Sequence, residues 1–214
     1  MNWAAGVVIL AAAGWLCLFL FPSPPPIDPR PHQGLGAAMA AEALKLMEPD
    51  ARLIVITRDQ ESFVLPATAV QLESFLKAIK AAGKSPHTIR AMKVDPLRVV
   101  AVPPGDFFDM LRQGRENDVI VSFLGPPTLN ADQMARLGAR RSRVVALCSG
   151  AMPARVDLKR LFEQKLLHAA IISRPDAPAQ ASAGNPDAAF EQFFKVVTAA
   201  NLSDLAALET SAFN

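Results

Sequence analysis

Three histidines, two cysteines and no tyrosine among 214 residues leave this chain few tools for chemistry. The polar residues best placed to act are those that close apolar runs. Thr57, Arg58 and Asp59 follow Leu-Ile-Val-Ile, Ser122 and Gly125 close Val-Ile-Val, Cys148 and Ser149 close Val-Val-Ala-Leu, and Arg174 follows Ile-Ile-Ser. Arg58 and Arg174 could take a carboxylate or phosphate through two parallel N–H donors, and Asp59 could accept sugar hydroxyls. With the hydroxyls of Ser122 and Ser149, these residues form the candidate ligand-binding set.

Covalent and metal chemistry fare worse. Cys148-Ser-Gly-Ala-Met-Pro-Ala-Arg155 has the look of a phosphate loop behind a thiolate. Its arginine is one residue too far along, however, and Pro153 removes an amide that such a loop would use. Ser149-Gly150 lacks the preceding glycine of a nucleophile elbow, since Leu147 stands there. His32, His87 and His168 fall in the stalk, a loop and a helix end with no ligand spacing, and none lies near the strand-end rim to serve a nucleophile as base. Gly34-Leu-Gly36 has no strand before it, and Met39 occupies the third glycine position of a dinucleotide fingerprint. No catalytic residue, metal or cofactor is therefore expected.

The elements that must position the polar set alternate. Arg52–Thr57 reads as a buried strand, followed by a helix with Leu72, Phe75, Leu76 and Ile79 inward, a Thr68-x-x-Gln71 capping pattern and a stop at Gly83. A second strand, Thr88–Val94 with Arg98–Val102, bends at Asp95-Pro96. Pro103-Pro-Gly-Asp106 opens a helix closed by Gly114. Val119–Phe123 then forms the central strand, with Asp118 as a bounding acidic residue whose loss should cost little. Asn130-x-x-Gln133 caps a third helix ending at Gly138, Arg143–Leu147 is the fourth strand, Asp157 starts a fourth helix, and Ala169–Ser173 is the fifth strand. Short apolar runs alternating with helices predict an α/β fold, a doubly wound, flavodoxin-like parallel sheet of five strands in the order 2-1-3-4-5.

The flanks carry the address. Residues 1–21 hold no charge and nine Leu, Ile, Val or Phe side chains. At about 1.5 Å per residue, roughly 20 residues cross the ~30 Å hydrocarbon layer. Without a basic start or a small-residue cleavage site, the segment reads as an uncleaved transmembrane anchor. Residues 22–33, rich in proline, read as a semi-rigid stalk. Residues 34–174 form the α/β domain, 175–186 a flexible linker, and 187–214 a C-terminal helical segment. In that last helix Phe190, Phe193, Phe194 and Val197 share a face. That face covers one side of the sheet or, on a sharper reading, receives a partner chain through the phenylalanines. A formal charge of +2 with scattered basic residues argues against nucleic acid.

Three stretches read together resemble the N-terminal lobe of type I periplasmic sugar-binding proteins and their repressor relatives. They are Leu111-Arg-Gln-Gly-Arg-Glu-Asn-Asp-Val-Ile-Val-Ser122, Pro126-Pro-Thr-Leu-Asn-Ala-Asp-Gln-Met134 and Arg143-Val-Val-Ala-Leu-Cys-Ser149. The resemblance covers about Ala51–Arg174. It implies a helix, strand, proline loop, helix and strand in succession, and in the family a solute held between two such lobes. This chain has length for one. The expectation is thus a membrane-anchored, non-catalytic extracytoplasmic module that binds other envelope proteins. The alternative is a module for a sugar-like or anionic small molecule that completes its cleft by dimerisation.

Overall fold

The computed structural model describes residues 27–60, 65–94, 101–138, 141–150 and 152–202, with residues 3, 6–7, 11–12 and 14–16 of the leader. Their elements run α1 (Pro29–Leu46), β1 (Leu53–Arg58), α2 (Pro66–Ala81), β2 (Thr88–Met92), α3 (Pro104–Gln113), β3 (Val119–Ser122), α4 (Ala131–Leu137), β4 (Arg143–Cys148), α5 (Leu158–Glu163), β5 (Ala169–Ser173), α6 (Pro186–Phe193) and β6 (Phe194–Thr198), with a short 3₁₀ turn at Ala199–Asn201. The sheet order is β2-β1-β3-β4-β5-β6. The first five strands are parallel in the expected 2-1-3-4-5 order.

The sixth strand corrects the sequence reading. Phe194–Thr198 was expected to continue the last helix, but it leaves α6 and pairs antiparallel with β5, Ala169 opposite Thr198 and Ser173 opposite Phe194. The run Phe-Lys-Val-Val-Thr favours a pleated edge, and β5 would otherwise present an open row of backbone groups. Alternation follows at once. Phe194 and Val196 pack on one side of the sheet and Val197 on the other.

The parallel strands other than β2 are apolar on both faces, as burial between two helical layers requires. Leu53, Val55, Val119, Val121, Val145, Leu147, Ala169 and Ile171 face α1, α2 and α6. Ile56, Ile120, Val144, Ala146, Ala170 and Ile172 face α3, α4 and α5. On the first side α1 is the hub. A Cβ on Gly34 would run into the Pro186 carbonyl oxygen and Phe190 of α6, and one on Gly36 into the Gln71 carbonyl oxygen and Ser74 of α2. The two glycines that suggested a nucleotide loop instead let three helices approach closely.

Several terminators stand where the sequence puts them. Asn130 and Gln133 form the reciprocal capping box of α4, Asp157 caps α5, and Gly83 and Gly138 adopt positive φ at helix ends. Three expectations are corrected. Thr68 does not cap α2, which starts at Pro66 after an uncapped Leu65. The second strand stops at Met92, and the bend expected at Asp95-Pro96 lies outside the described residues. The stalk expected over 22–33 gives way at Pro29 to α1. Asp28 caps that helix, Arg30 reaches the carbonyls of Ser182 and Gly184, and His32 Nδ1 meets the Gln71 amide at 3.1 Å. Among the described residues no helix is long and apolar enough to cross a membrane. The anchor expected over 1–21 falls mostly on residues outside that set, as does the final segment 203–214.

The amino ends of the central strands meet at Asp118, which is fully buried. Arg52 grips its carboxylate through Nε at 3.0 Å and Nη2 at 2.5 Å, and the backbone N–H groups of Arg52 and Arg115 add donors at 3.3 and 2.8 Å. Burial alone would raise the Asp118 carboxyl, but these hydrogen bonds and the guanidinium charge outweigh it and hold the group below the usual carboxylate range. Arg143, at the start of β4, donates to the Leu46 carbonyl at the carboxyl end of α1 and to Glu48.

The expectation that losing Asp118 costs little is therefore reversed. Asp118→Ala strands several donors and should destabilise by about 3 kcal/mol in urea titration. Because the folded carboxyl titrates below its ordinary value of 3.8, the unfolded chain binds the extra proton in that range. The pair's stabilisation is complete above that value and is lost as pH falls through the folded pKa, so Asp118→Asn should flatten the acid limb of a stability-versus-pH curve. A fragment of residues 34–214 should melt earlier than residues 27–214, by at least the roughly 1 kcal/mol typical of a lost cap. Calorimetry of the two fragments checks it.

Candidate functional site

In a sheet of this order the chain runs outward from β1 to β2 and then crosses back to β3, so the carboxyl ends of β1 and β3 flank a crevice. Arg58 and Asp59 stand there because β1 runs its apolar residues out to Thr57 and then turns polar. Arg58 is buried against the sheet end and Asp59 half-buried. The Asp59 N–H donates to the Met92 carbonyl at 2.8 Å, tying the rim to the end of β2. Across the switch point, the Phe123 N–H donates to the Ile56 carbonyl at 2.9 Å. Thr57 is 3% exposed, and its hydroxyl has no hydrogen-bond partner among the described residues. Residues 61–64 and 95–100, which follow β1 and lie beyond β2, are outside the described set.

The five predicted residues separate into two places. Arg58, Asp59 and Ser122 belong to the β1–β3 switch point, whereas Ser149 and Arg174 lie beyond β4 and β5. Ser122 is fully buried, and its Oγ accepts the Leu124 N–H at 3.3 Å, so this hydroxyl shapes the turn after β3. Gly125 then takes a φ of 101°, reserved in practice for glycine, and a Cβ there would press on the Met152 sulfur. Ser149 is exposed, and beside it the Gly150 N–H donates to Ser173 Oγ at 3.3 Å. The Arg174 guanidinium is engaged by Asp176 at 3.1 Å, and its N–H donates to the Phe193 carbonyl. That ion pair raises the arginine and lowers the aspartate from their ordinary values, each chiefly through the shared hydrogen bond.

The thiol of Cys148 is fully buried, and burial pushes it up to about 12. It is packing, not a nucleophile. His168 is also claimed by structure: its Nδ1 accepts the Val144 N–H at 3.1 Å, and burial, then the charges of Arg143 and Lys165, lower its pKa. Among the described residues no cluster of His, Cys, Asp and Glu could hold a metal. Phe190 and Phe194 stack at 5.8 Å and pack on the core beneath α1, with Phe193 tilted against Phe194 at 6.5 Å. Phe190 and Phe194 thus lie over one sheet face, whereas Val197, in β6 and not in a longer helix, packs on the other.

Three clefts lined by described residues lie away from the switch point, and sequence reading missed all three. One of about 550 Å³ separates α4 from α5, with Leu129, Met134, Arg155 and Arg160 on its walls. One of about 510 Å³ lies among α1, α2 and the start of α6. The third, about 140 Å³, opens at the amino end of β2 between Arg52, His87, Arg90 and Met110. Each joins residues far apart in sequence, so no local pattern marks it.

No protein family matches this sequence, and no curated protein does either. The fold has solved counterparts. A carbohydrate transporter solute binding protein from Agrobacterium radiobacter, in complex with D-arabinose, superposes with a TM-score of 0.50 at 12% identity, over 85% of this chain and 63% of its own. AraP, an arabinose binding protein from Geobacillus stearothermophilus, gives 0.52 at 14% identity, over 81% of this chain and 63% of its own. The chain has the fold of a periplasmic binding protein-like lobe. At such identities the likeness is one of architecture, and the chain spans 63% of the length of each.

With Cys17 replaced by Ser, folded protein should leave Cys148 unmodified by a disulfide reagent at pH 8 over the minutes in which the urea-unfolded chain reacts fully. Rapid labelling of the folded chain would contradict the burial described above.

Proposed function

We propose that this chain is an extracytoplasmic binding module for a small sugar-like or anionic solute, docked at the β1–β3 switch point. The observation that carries the reading is the architecture: the superposition covers more than four-fifths of the chain on two arabinose-associated binding proteins. The local chemistry agrees with it. A buried hydroxyl at Thr57, a carboxylate at Asp59 and a guanidinium at Arg58 suit the hydroxyls and any acidic group of such a solute. A second wall to the cleft would come from another copy of the chain. The charge-free residues 1–21 would hold the module at a membrane.

A second reading, an accessory module that docks other envelope proteins, draws on one observation. The chain spans 63% of the length of its structural counterparts. On that reading the lobe keeps the architecture and binds protein surfaces.

Thermal melting of the full chain in detergent against a panel of pentoses, hexoses and their uronic acids separates the two. A ligand at a hundred times its Kd stabilises by about 2.7 kcal/mol. For a chain of this size that is a rise in Tm of about 5–10 °C. Asp59→Asn, which preserves shape while removing the acceptor charge, should reduce the shift by more than half. No shift with any member of the panel sinks the solute reading and leaves the docking one.

A further inference from the structure

We propose that the outer edge of β2 is a docking site for an extended acidic segment of a partner protein, which adds a strand to the sheet. β2 terminates the sheet, bonded on one side to β1, and among the described residues no chain pairs with its other side. Its middle residues Ile89, Arg90 and Ala91 are exposed, Ile89 by 45%, where every other parallel strand is buried along most of its length. Such an edge offers alternate N–H and C=O groups to an incoming backbone.

Charge selects the occupant. Lys84, His87, Arg90 and Lys93 punctuate the strand and its two flanks, and no acidic residue interrupts them between Gly83 and Val94. The cleft of about 140 Å³ lies just inside this edge, between β2, the start of β1 and the end of α3, with Arg52, Ile54, His87, Thr88 and Arg90 among its lining residues. Arg52 is committed to Asp118, which leaves Arg90 and His87 to meet an incoming group. A Glu or Asp side chain on the α3 face of an added strand would project toward that cleft. A second copy of β2 is the poorer occupant, because antiparallel pairing about the centre of Thr88–Met92 sets Arg90 opposite Arg90. Edge charge of this kind turns away a like strand and admits an acidic one.

The test uses the full chain in neutral detergent micelles and a fluorescein-labelled peptide of alternating Glu and Val. Anisotropy should show saturable binding that weakens at least tenfold between 50 and 300 mM salt. Binding should also fall at least tenfold in Arg90→Glu, whose fold is checked by circular dichroism. The same peptide with a central proline, and its Lys-Val counterpart, should bind at least tenfold more weakly, and hydrogen exchange should slow at residues 88–92 only when the Glu-Val peptide is present. Equal binding of the Lys-Val or proline peptide, protection elsewhere, or an unaltered Arg90→Glu titration would overturn the proposal. So would sedimentation showing a dimer whose formation protects residues 88–92, since the occupant would then be a second copy.

Discussion

The carboxylate of Asp118 has no access to solvent, and four donors from two stretches of chain converge on it. A charge in that position is tolerable only while the donors stay in place, because an uncompensated ion in a low-dielectric interior costs several kcal/mol. The pair therefore fixes where β1 begins relative to β3. Next to it the Val119 N–H donates to the Arg52 carbonyl and the Arg143 N–H to the Asp118 carbonyl, which extends the alignment to β4. A one-residue slip in a strand reverses which side chains face each helical layer. Here it would also break the ion pair. Strands are stiff, so register set at the amino end decides what stands level at the carboxyl end. Arg58 and Asp59 lie beside the turn at Phe123 as a consequence.

The same economy of cause runs through α1. Its two glycines have no conformational task, since both sit within a helix. They are small because α2 and α6 cross there at backbone distance. That close crossing seals Phe75, Met39 and Leu35 at zero exposure against the strand faces. α1 also carries the start of the domain further toward the leader than proline content suggests. Asp28, Arg30 and His32 all bond to neighbours, and Arg30 holds the loop that leads into α6. Proline at Pro29 and Pro31 is compatible with this because the first helical turn makes no use of its N–H groups.

Sheet order, the five parallel strands and most helix ends were legible in the sequence because each rests on local pattern: apolar runs of strand length, Asn130 and Gln133 at capping distance, glycines after helices. What escaped rests on partners distant in the chain. Phe190, Phe193, Phe194 and Val197 fit a helical stripe, and only the open edge of β5 decides that Phe194 begins a strand. Asp118 reads as a polite terminus until Arg52, 66 residues away, is seen to hold it. At the candidate site Arg58 and Asp59 stand at the carboxyl end of β1, beside the point where the strand order reverses. The sequence could not tell that the Ser122 hydroxyl is occupied by its own turn, or that Arg174 is engaged by Asp176 and stands with Ser149 beyond β4 and β5, apart from the switch point.

The two surfaces singled out here differ in what makes them selective. At the switch point a solute would find groups held by the sheet: Thr57 is buried, Arg58 is pinned at the strand end, and Asp59 is tied through its backbone to β2. Preorganised groups of that sort suit a small rigid molecule, whose binding leaves little surplus for ordering the protein. The β2 edge presents exposed, long side chains around a backbone that is itself the recognition element. Affinity there would come from main-chain hydrogen bonds, and sign of charge would decide between partners. Both depend on β2 lying where the Met92 carbonyl accepts the Asp59 N–H. The edge strand and the rim thus share one backbone hydrogen bond at the last residue of a five-residue strand.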